Sequence, residues 1–264
     1  KLTVDKTTSP VFTQLALDYE AAERTNGMSY IIKLEDGSFI IYDGGFNADA
    51  DTLYSKLSSQ NTNGGKPIIS AWIMTHMHVD HYQCFNKFST SYSDNVILKN
   101  IIINVPPEST HSSTNGYTEY YTGGSFTRAA KAFGIVNIIK AHTGQVFYLG
   151  NAKIEILYTF EDLLPKAYDT YNNTSVITRI TTRGQSILFL GDLQTVGSDL
   201  MSKMYGNTLK SDIVQISHHG SPKGATIELY NLISANIAFF PGSLTRYNEN
   251  KTLEVNKYVI SKVK

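Results

Sequence analysis

The sequence predicts a mixed α/β fold of four layers, an αββα sandwich in which two β-sheets pack face to face with helices outside. Three observations carry that expectation. Short apolar, β-rich runs alternate with helical patterns along the chain. The strands fall into two groups, each flanked by helices. So many continuous apolar runs also need two sheets to bury them. The 264 residues are 41% hydrophobic and 17% charged, a globular composition. They read as a single domain over residues 1–264, built of two similar halves.

The elements follow in order. "MSYIIKL" and "SFIIYDGG" flank "EDG", a hairpin turn signal. "NADADTLYSKLSSQ" predicts a helix in which Asn47 and Asp49 can cap free amides and Leu53 and Leu57 share a face. "PIISAWIMT" predicts a strand buried on both faces. A short helix is expected through "QCFNKFS", then the strand "VILKNIIINV", stopped by Pro106 and Pro107. The polar stretch from Pro106 to about Gly124 predicts a long loop. "SFTRAAKAFG" is a helix closed by Gly134. "VNIIKA", "QVFYLG" and "AKIEILY" are strands, and a second loop runs from about Phe160 to Asn173. "SVITRIT" and "QSILFLGD" form a hairpin around "TRG". Helix, strand, helix, strand and a last helix are expected in "SDLMSKMYG", "SDIVQISHHG", "ATIELYNLIS", "NIAFFPG" and "LEVNKYVISKVK".

Composition narrows the function classes. Lys+Arg and Asp+Glu both number 23, so no global charge draws the chain to nucleic acid or to an anionic membrane. No apolar run reaches the ~20 residues that span a bilayer. A single cysteine, Cys84, excludes an internal disulfide and a cysteine-rich metal site, and reads as a small buried side chain. Many Tyr, Asn, Ser and Thr with almost no Cys favour a secreted or cell-surface bacterial protein over a cytoplasmic one. The chain opens on Lys1 rather than Met, as a trimmed or processed form would, and ends at Lys264 inside a helical pattern, where either a C-terminal truncation or a following module is the expectation.

The chemistry concentrates at strand ends. "THMHVDH" places His76, His78, Asp80 and His81 directly after an apolar strand. In extended chain, residues two apart point the same way, so His76 and His78 can share one metal. Asp80 and His81 follow at the turn and can face a second ion. Imidazole with carboxylate suits Zn2+, with Mn2+ or Fe2+ as alternatives. "ILFLGDLQ" sets Asp192 at another strand end, and "DIVQISHHGS" ends in His218 and His219. Adjacent strand residues face opposite ways, so either histidine could be the ligand while the other meets substrate or packs. One or two ions held by these groups would acidify a water towards a pKa of ~7. Asp80, Asp192 and His219 are the candidate catalytic residues.

These pieces, in this order, resemble the metallo-β-lactamase superfamily. Its signature H-x-H-x-D-H matches His76, His78, Asp80 and His81; "IIYDGG", with Asp43 and Gly44, matches the preceding strand and turn; Asp192 in "LFLGD" matches the bridging aspartate. The resemblance runs from about Met28 to about Gly242, and "NNTSVITRI…SILFLGDL…SDIVQISHHGS" looks most like the ComEC-like branch and its stand-alone relatives. It implies the αββα sandwich and a metal-dependent hydrolase. Members with a complete first metal site carry a further histidine where this chain has "YNNTS", so Asn172 or Asn173 stands at that place. His142 lies too early in the chain to be that ligand, and His111 falls in the first polar loop. Asn172, Asn173 and Ser221 are candidate substrate contacts.

The branch leans towards phosphodiesters. Tyr117, Tyr120, Tyr121, Tyr168 and Tyr171 in the two loops could stack a base or enclose a cation, or simply pack. Basic residues are scattered rather than tracked, which favours a small or surface-attached phosphodiester or ester over nucleic acid. Lactone, thioester or β-lactam hydrolysis is the alternative chemistry, and a non-catalytic binding module on the same fold the alternative class.

Overall fold

A computed structural model describes residues 8–17, 26–106, 123–163 and 170–263. The chain divides into two compact units. The first holds residues 1–17, 27–141 and 148–152, and the second residues 18–26, 142–147 and 153–264.

The first unit is built on a seven-stranded sheet of β1 (Val11–Gln14), β2 (Ser29–Lys33), β3 (Phe39–Asp43), β4 (Ile68–Ile73), β5 (Ile97–Leu98), β6 (Asn100–Ile103) and β7 (Asn137–Lys140). The order is β1-β2-β3-β4-β6-β7, with β5 also paired to β4. β1, β2 and β3 are antiparallel; β3, β4, β6 and β7 are parallel. Every residue of β2 and β3 is buried, as expected of strands covered on both faces. Helices α1 (Ala50–Gln60), α2 (Val79–Tyr92) and α3 (Gly123–Ala132) complete the unit. α1 buries Leu53 and Leu57 as its spacing predicts, and Trp72 of β4 meets Phe85 and Phe88 of α2 edge-on.

A six-stranded sheet, all but residues 148, 149 and 152 of it in the second unit, is made of β8 (Val146–Leu149), β9 (Ala152–Tyr158), β10 (Ile177–Thr182), β11 (Gln185–Phe189), β12 (Ile213–Gln215) and β13 (Ile237–Phe239). The order is β13-β12-β11-β10-β9-β8. The expected β10–β11 hairpin turns at Arg183 and Gly184, both at positive φ (47° and 79°). Helices α4 (Thr195–Tyr205), α5 (Ile227–Ile233), α6 (Leu244–Asn250) and α7 (Glu254–Lys262) follow. Leu188, Leu190, Met201, Leu229, Ile233 and Val259 make one buried cluster of strand and helix side chains. The mixed α/β class with two sheets and flanking helices therefore holds. Among the described residues no helix is long and apolar enough to cross a membrane.

Four local expectations change. α2 begins at Val79 rather than near Gln83, so Asp80 and His81 sit in its first turn. His78 is its N-cap, at extended dihedrals. The "HHG" segment is not the end of a strand: β12 stops at Gln215, and His218 and His219 both adopt left-handed dihedrals. The alternation argument for that pair therefore fails. β1 and α6 were not expected. α6 has a polar sequence, "LTRYNEN", and is started by Ser243, whose hydroxyl accepts from Arg246 N. "VILKNIIINV" forms two strands, broken at Lys99.

Candidate metal centre

In both units the candidate donors leave the carboxyl ends of parallel strands, the usual place for sites in such sheets. Tyr42 of β3 pairs with Ile73 of β4, so Asp43 and the Met74–His76 segment leave the first sheet side by side. Leu188 of β11 pairs with Val214 of β12, and Asp192 and His218 follow at equal distances along their strands.

In the first unit one buried carboxylate organises the histidines. Asp43, fully buried at φ 52°, accepts from Thr75 N (2.7 Å) and Thr75 Oγ1 (2.8 Å), and lies 2.7 Å from His81 Nδ1. The contact fixes His81 with its proton on Nδ1 and its lone pair on Nε2. Because Thr75 spends its hydroxyl hydrogen on Asp43, its oxygen accepts from His76 Nδ1 at 3.1 Å. His76 is thereby also held with its lone pair on Nε2. That nitrogen lies 3.0 Å from His78 Nδ1, so the two rings turn ligand atoms towards one point. His81 Nε2 lies 3.8 Å from Asp80 Oδ2. His76, His78, Asp80 and His81 are all buried, with 8% exposure at most. Burial, and next the charge of Asp43, push the Tyr30 and Tyr42 hydroxyls well above their usual pKa, so both stay neutral beside it. Burial likewise raises the Cys84 thiol, with Asp49 and Asp51 adding to the shift, so Cys84 is an inert core group.

In the second unit Asp192 and His219 are each 2% exposed, with Asp192 Oδ2 3.4 Å from His219 Nε2. His219 Nδ1 lies 2.7 Å from the Pro241 carbonyl, so it carries the ring hydrogen and leaves the Nε2 lone pair on the Asp192 side. A buried lone pair facing a buried carboxylate oxygen suits a cation beside both. His218 is half-buried; its Nδ1 faces the Pro222 carbonyl (3.0 Å) and its Nε2 faces Asn172 Nδ2 (3.3 Å). Asn173 is consumed structurally: its Oδ1 accepts from Gln194 N (2.8 Å) and Gly197 N (3.3 Å), at the start of α4. Ser221 donates its backbone amide to His218 O (2.7 Å) and lines a cleft of about 560 Å³ with Lys223, Glu228 and Glu254.

Other sequence candidates fall elsewhere. His142 pairs with Glu161 at 2.6 Å on the surface. Tyr171 is 5% exposed and packs into its unit. His111, Tyr117, Tyr120, Tyr121 and Tyr168 lie outside the described residues. In the sequence Asp43 holds only a place in a strand-ending turn; the signal for more is a carboxylate ending an apolar strand just before two glycines.

The donors fit a divalent ion. Imidazoles with fixed lone pairs and buried carboxylates are the ligand chemistry of zinc and its neighbours, and each oriented histidine has the backing partner such ligands need.

Comparison with known proteins places the chain. The sequence profile of the Metallo-beta-lactamase superfamily matches residues 22–229. The uncharacterized protein YcaI of Escherichia coli (strain K12) is 28% identical over 80 residues, 30% of this chain; the chain spans 10% of that relative's length. Among solved structures, the metallo-beta-lactamase fold protein YhfI of Bacillus subtilis is similar over 97% of this chain and 94% of its own, with 12% identity and a TM-score of 0.53. CmlA of Streptomyces venezuelae, a diiron beta-hydroxylase, is similar over 89% of this chain and 45% of its own, with 13% identity and a TM-score of 0.51. At these identities the structures speak for the fold alone. The profile covers most of the sequence, including His76, His78, Asp80, His81, Asp192, His218 and His219, and the chain belongs to the metallo-β-lactamase superfamily.

Proposed function

We propose that the chain is a metal-dependent hydrolase of phosphodiesters or related esters, with His76, His78, Asp80 and His81 as metal ligands in the first unit and Asp192 and His219 as metal ligands in the second. The observation that carries this reading is the relay from Asp43. A single buried carboxylate, acting directly on His81 and through Thr75 on His76, sets both rings in the ligating tautomer. A merely structural histidine cluster has no need of such control. The order of the donors along the chain supports this, since H-x-H-x-D-H followed by Asp192 matches the superfamily's signature and its later aspartate.

A divalent ion held by these residues, Zn2+ first and Mn2+ or Fe2+ as alternatives, would supply Lewis acidity and would bring a water's pKa down to ~7. The chain's own groups do the rest. Asp80, at the first turn of α2, accepts the proton of the attacking water and orients it. His219 is the ligand of the histidine pair, because it is buried and turns Nε2 towards Asp192, whereas His218 turns Nε2 to Asn172. Ser221, two residues after His219, is the polar side chain assigned to substrate contact. Zero net charge and scattered basic residues favour a small or surface-attached substrate over long nucleic acid.

The test is turnover of bis(p-nitrophenyl) phosphate by protein loaded with Zn2+ or Mn2+, beside lactone and thioester substrates. The expected result is phosphodiester cleavage that is lost with chelator and in His78→Ala and Asp192→Ala. Activity surviving both substitutions would sink the metal-centred reading. A clear preference for lactone would replace the phosphodiester assignment.

A further inference from the structure

We propose that Asn172 is an oxygen ligand of the metal held by Asp192 and His219 in the second unit, kept in the ligating orientation by His218; this rests on the metal-dependent reading above. Four observations within the second unit lead there. Asn172 is 7% exposed, and its Oδ1 is buried with no hydrogen-bond partner among the described residues. An amide oxygen in that state costs about 1–3 kcal/mol unless something satisfies it. Its position is tied to Asp192: Ser175 Oγ donates to Asn172 O (2.8 Å) and accepts from Asp192 N (3.1 Å). It is tied to the His219 segment as well, because His218 Nε2 touches its Nδ2 at 3.3 Å.

The orientation of the amide follows from the histidine. His218 Nδ1 faces a carbonyl oxygen, Pro222 O, and so carries the hydrogen of the neutral ring. Nε2 is then an acceptor, and the group that Asn172 offers it must be its NH2. The carbonyl oxygen consequently points away from His218 and is free to bind a cation. Pro222 therefore fixes His218, and His218 fixes Asn172. The neighbouring Asn173 cannot take this part, since its Oδ1 already accepts from Gln194 N and Gly197 N.

A neutral amide oxygen is a harder donor than imidazole nitrogen. It binds Zn2+ less tightly and favours Mn2+ relative to Zn2+. The experiment uses the full chain freed of metal by chelator, then titrated with Zn2+, Mn2+ and Co2+. Affinities come from competition with a chromophoric chelator, stoichiometry from elemental analysis, and the coordination sphere from the Co2+ visible spectrum. Asn172→Ala is expected to lose about tenfold or more in Mn2+ affinity. Asn172→His is expected to raise the ratio of Zn2+ to Mn2+ affinity by about tenfold or more and to change the Co2+ spectrum. Asn172→Asp, which preserves shape, is expected to bind Mn2+ more tightly than the parent. His218→Ala is expected to weaken binding while keeping the stoichiometry. A folded Asn172→Ala protein with unchanged affinities and an unchanged Co2+ spectrum would overturn the assignment and leave the hydrolase reading standing. A parent protein that binds no metal would overturn both.

Discussion

Replacing Asp43 by Asn changes one atom at a fully buried position and tests the relay directly. The carboxylate accepts from Thr75 N on Oδ1, and meets both Thr75 Oγ1 and His81 Nδ1 on Oδ2. An amide cannot reproduce this. If its oxygen takes the Oδ1 place, its NH2 faces His81 Nδ1, which must give up its hydrogen. The proton then moves to His81 Nε2 and removes the ligand lone pair. If its oxygen takes the Oδ2 place, its NH2 faces the Thr75 amide, and two buried donors oppose one another at a cost of about 1–3 kcal/mol. The first outcome removes the backing of a metal ligand, a change that lowers affinity about 10–100-fold, or about 1.4–2.8 kcal/mol. The measurement is Zn2+ affinity by chelator competition, paired with thermal unfolding of the metal-free protein. Affinity should fall within that range, and Asp43→Asn combined with His81→Ala should lose little more than His81→Ala alone. Affinity within twofold of the parent, with unchanged unfolding, would refute the relay.

Four further outcomes follow from the same structure. Burial raises the Asp49 pKa from 3.8 to about 7 against the opposing hydrogen bond from Phe46 N, so the folded state favours the protonated form. Stability should fall as pH rises from about 4 through about 7, and Asp49→Asn should raise the melting temperature at pH 8 but not at pH 4; equal effects at both would discount the shift. Gly45 sits at φ 89° against Asp49 and Leu17, so Gly45→Ala should destabilise by roughly 2 kcal/mol or more in denaturant unfolding. Asn173→Ala removes the acceptor at the start of α4 and should cost about 1–2 kcal/mol of stability while leaving metal affinity within twofold, unlike Asn172→Ala. Chelator should lower the melting temperature of loaded protein, because an ion present at 100 times its Kd contributes about 2.7 kcal/mol; an unchanged melting temperature would mean that no ion binds the folded chain.

The fold was legible where burial is two-sided. Runs such as "SFIIYDGG" and "PIISAWIMT" hold four or five consecutive or nearly consecutive apolar residues with no polar alternation, the mark of a strand covered on both faces. Hairpin and helix-stop glycines were equally plain, as at Gly184 and Gly134, both at positive φ. The donors were legible as residue types at strand ends. Their wiring was not. That Asp43 governs His81 depends on a contact between residues 38 apart, which no local pattern encodes. The choice between His218 and His219 turns on the carbonyls of Pro222 and Pro241, backbone groups that carry no sequence signal. α6 escaped notice because its seven residues bury only Asn250 and thus lack an apolar stripe. β1 escaped because it is a short edge strand, half-exposed along its length.

The left-handed turn at His218 and His219 constrains how this sequence can vary. Two consecutive side-chain-bearing residues at positive φ forgo roughly 1–2 kcal/mol each. Valine or isoleucine at either position would add a steric penalty of its own, while glycine would relax the backbone and erase the imidazole. In a library randomised at both codons, variants selected only for folding should therefore drift towards Gly, Asn and Asp. Variants selected for ion binding should keep His219 despite its conformational burden, and the gap between the two enrichment profiles would report how much of that burden function sustains.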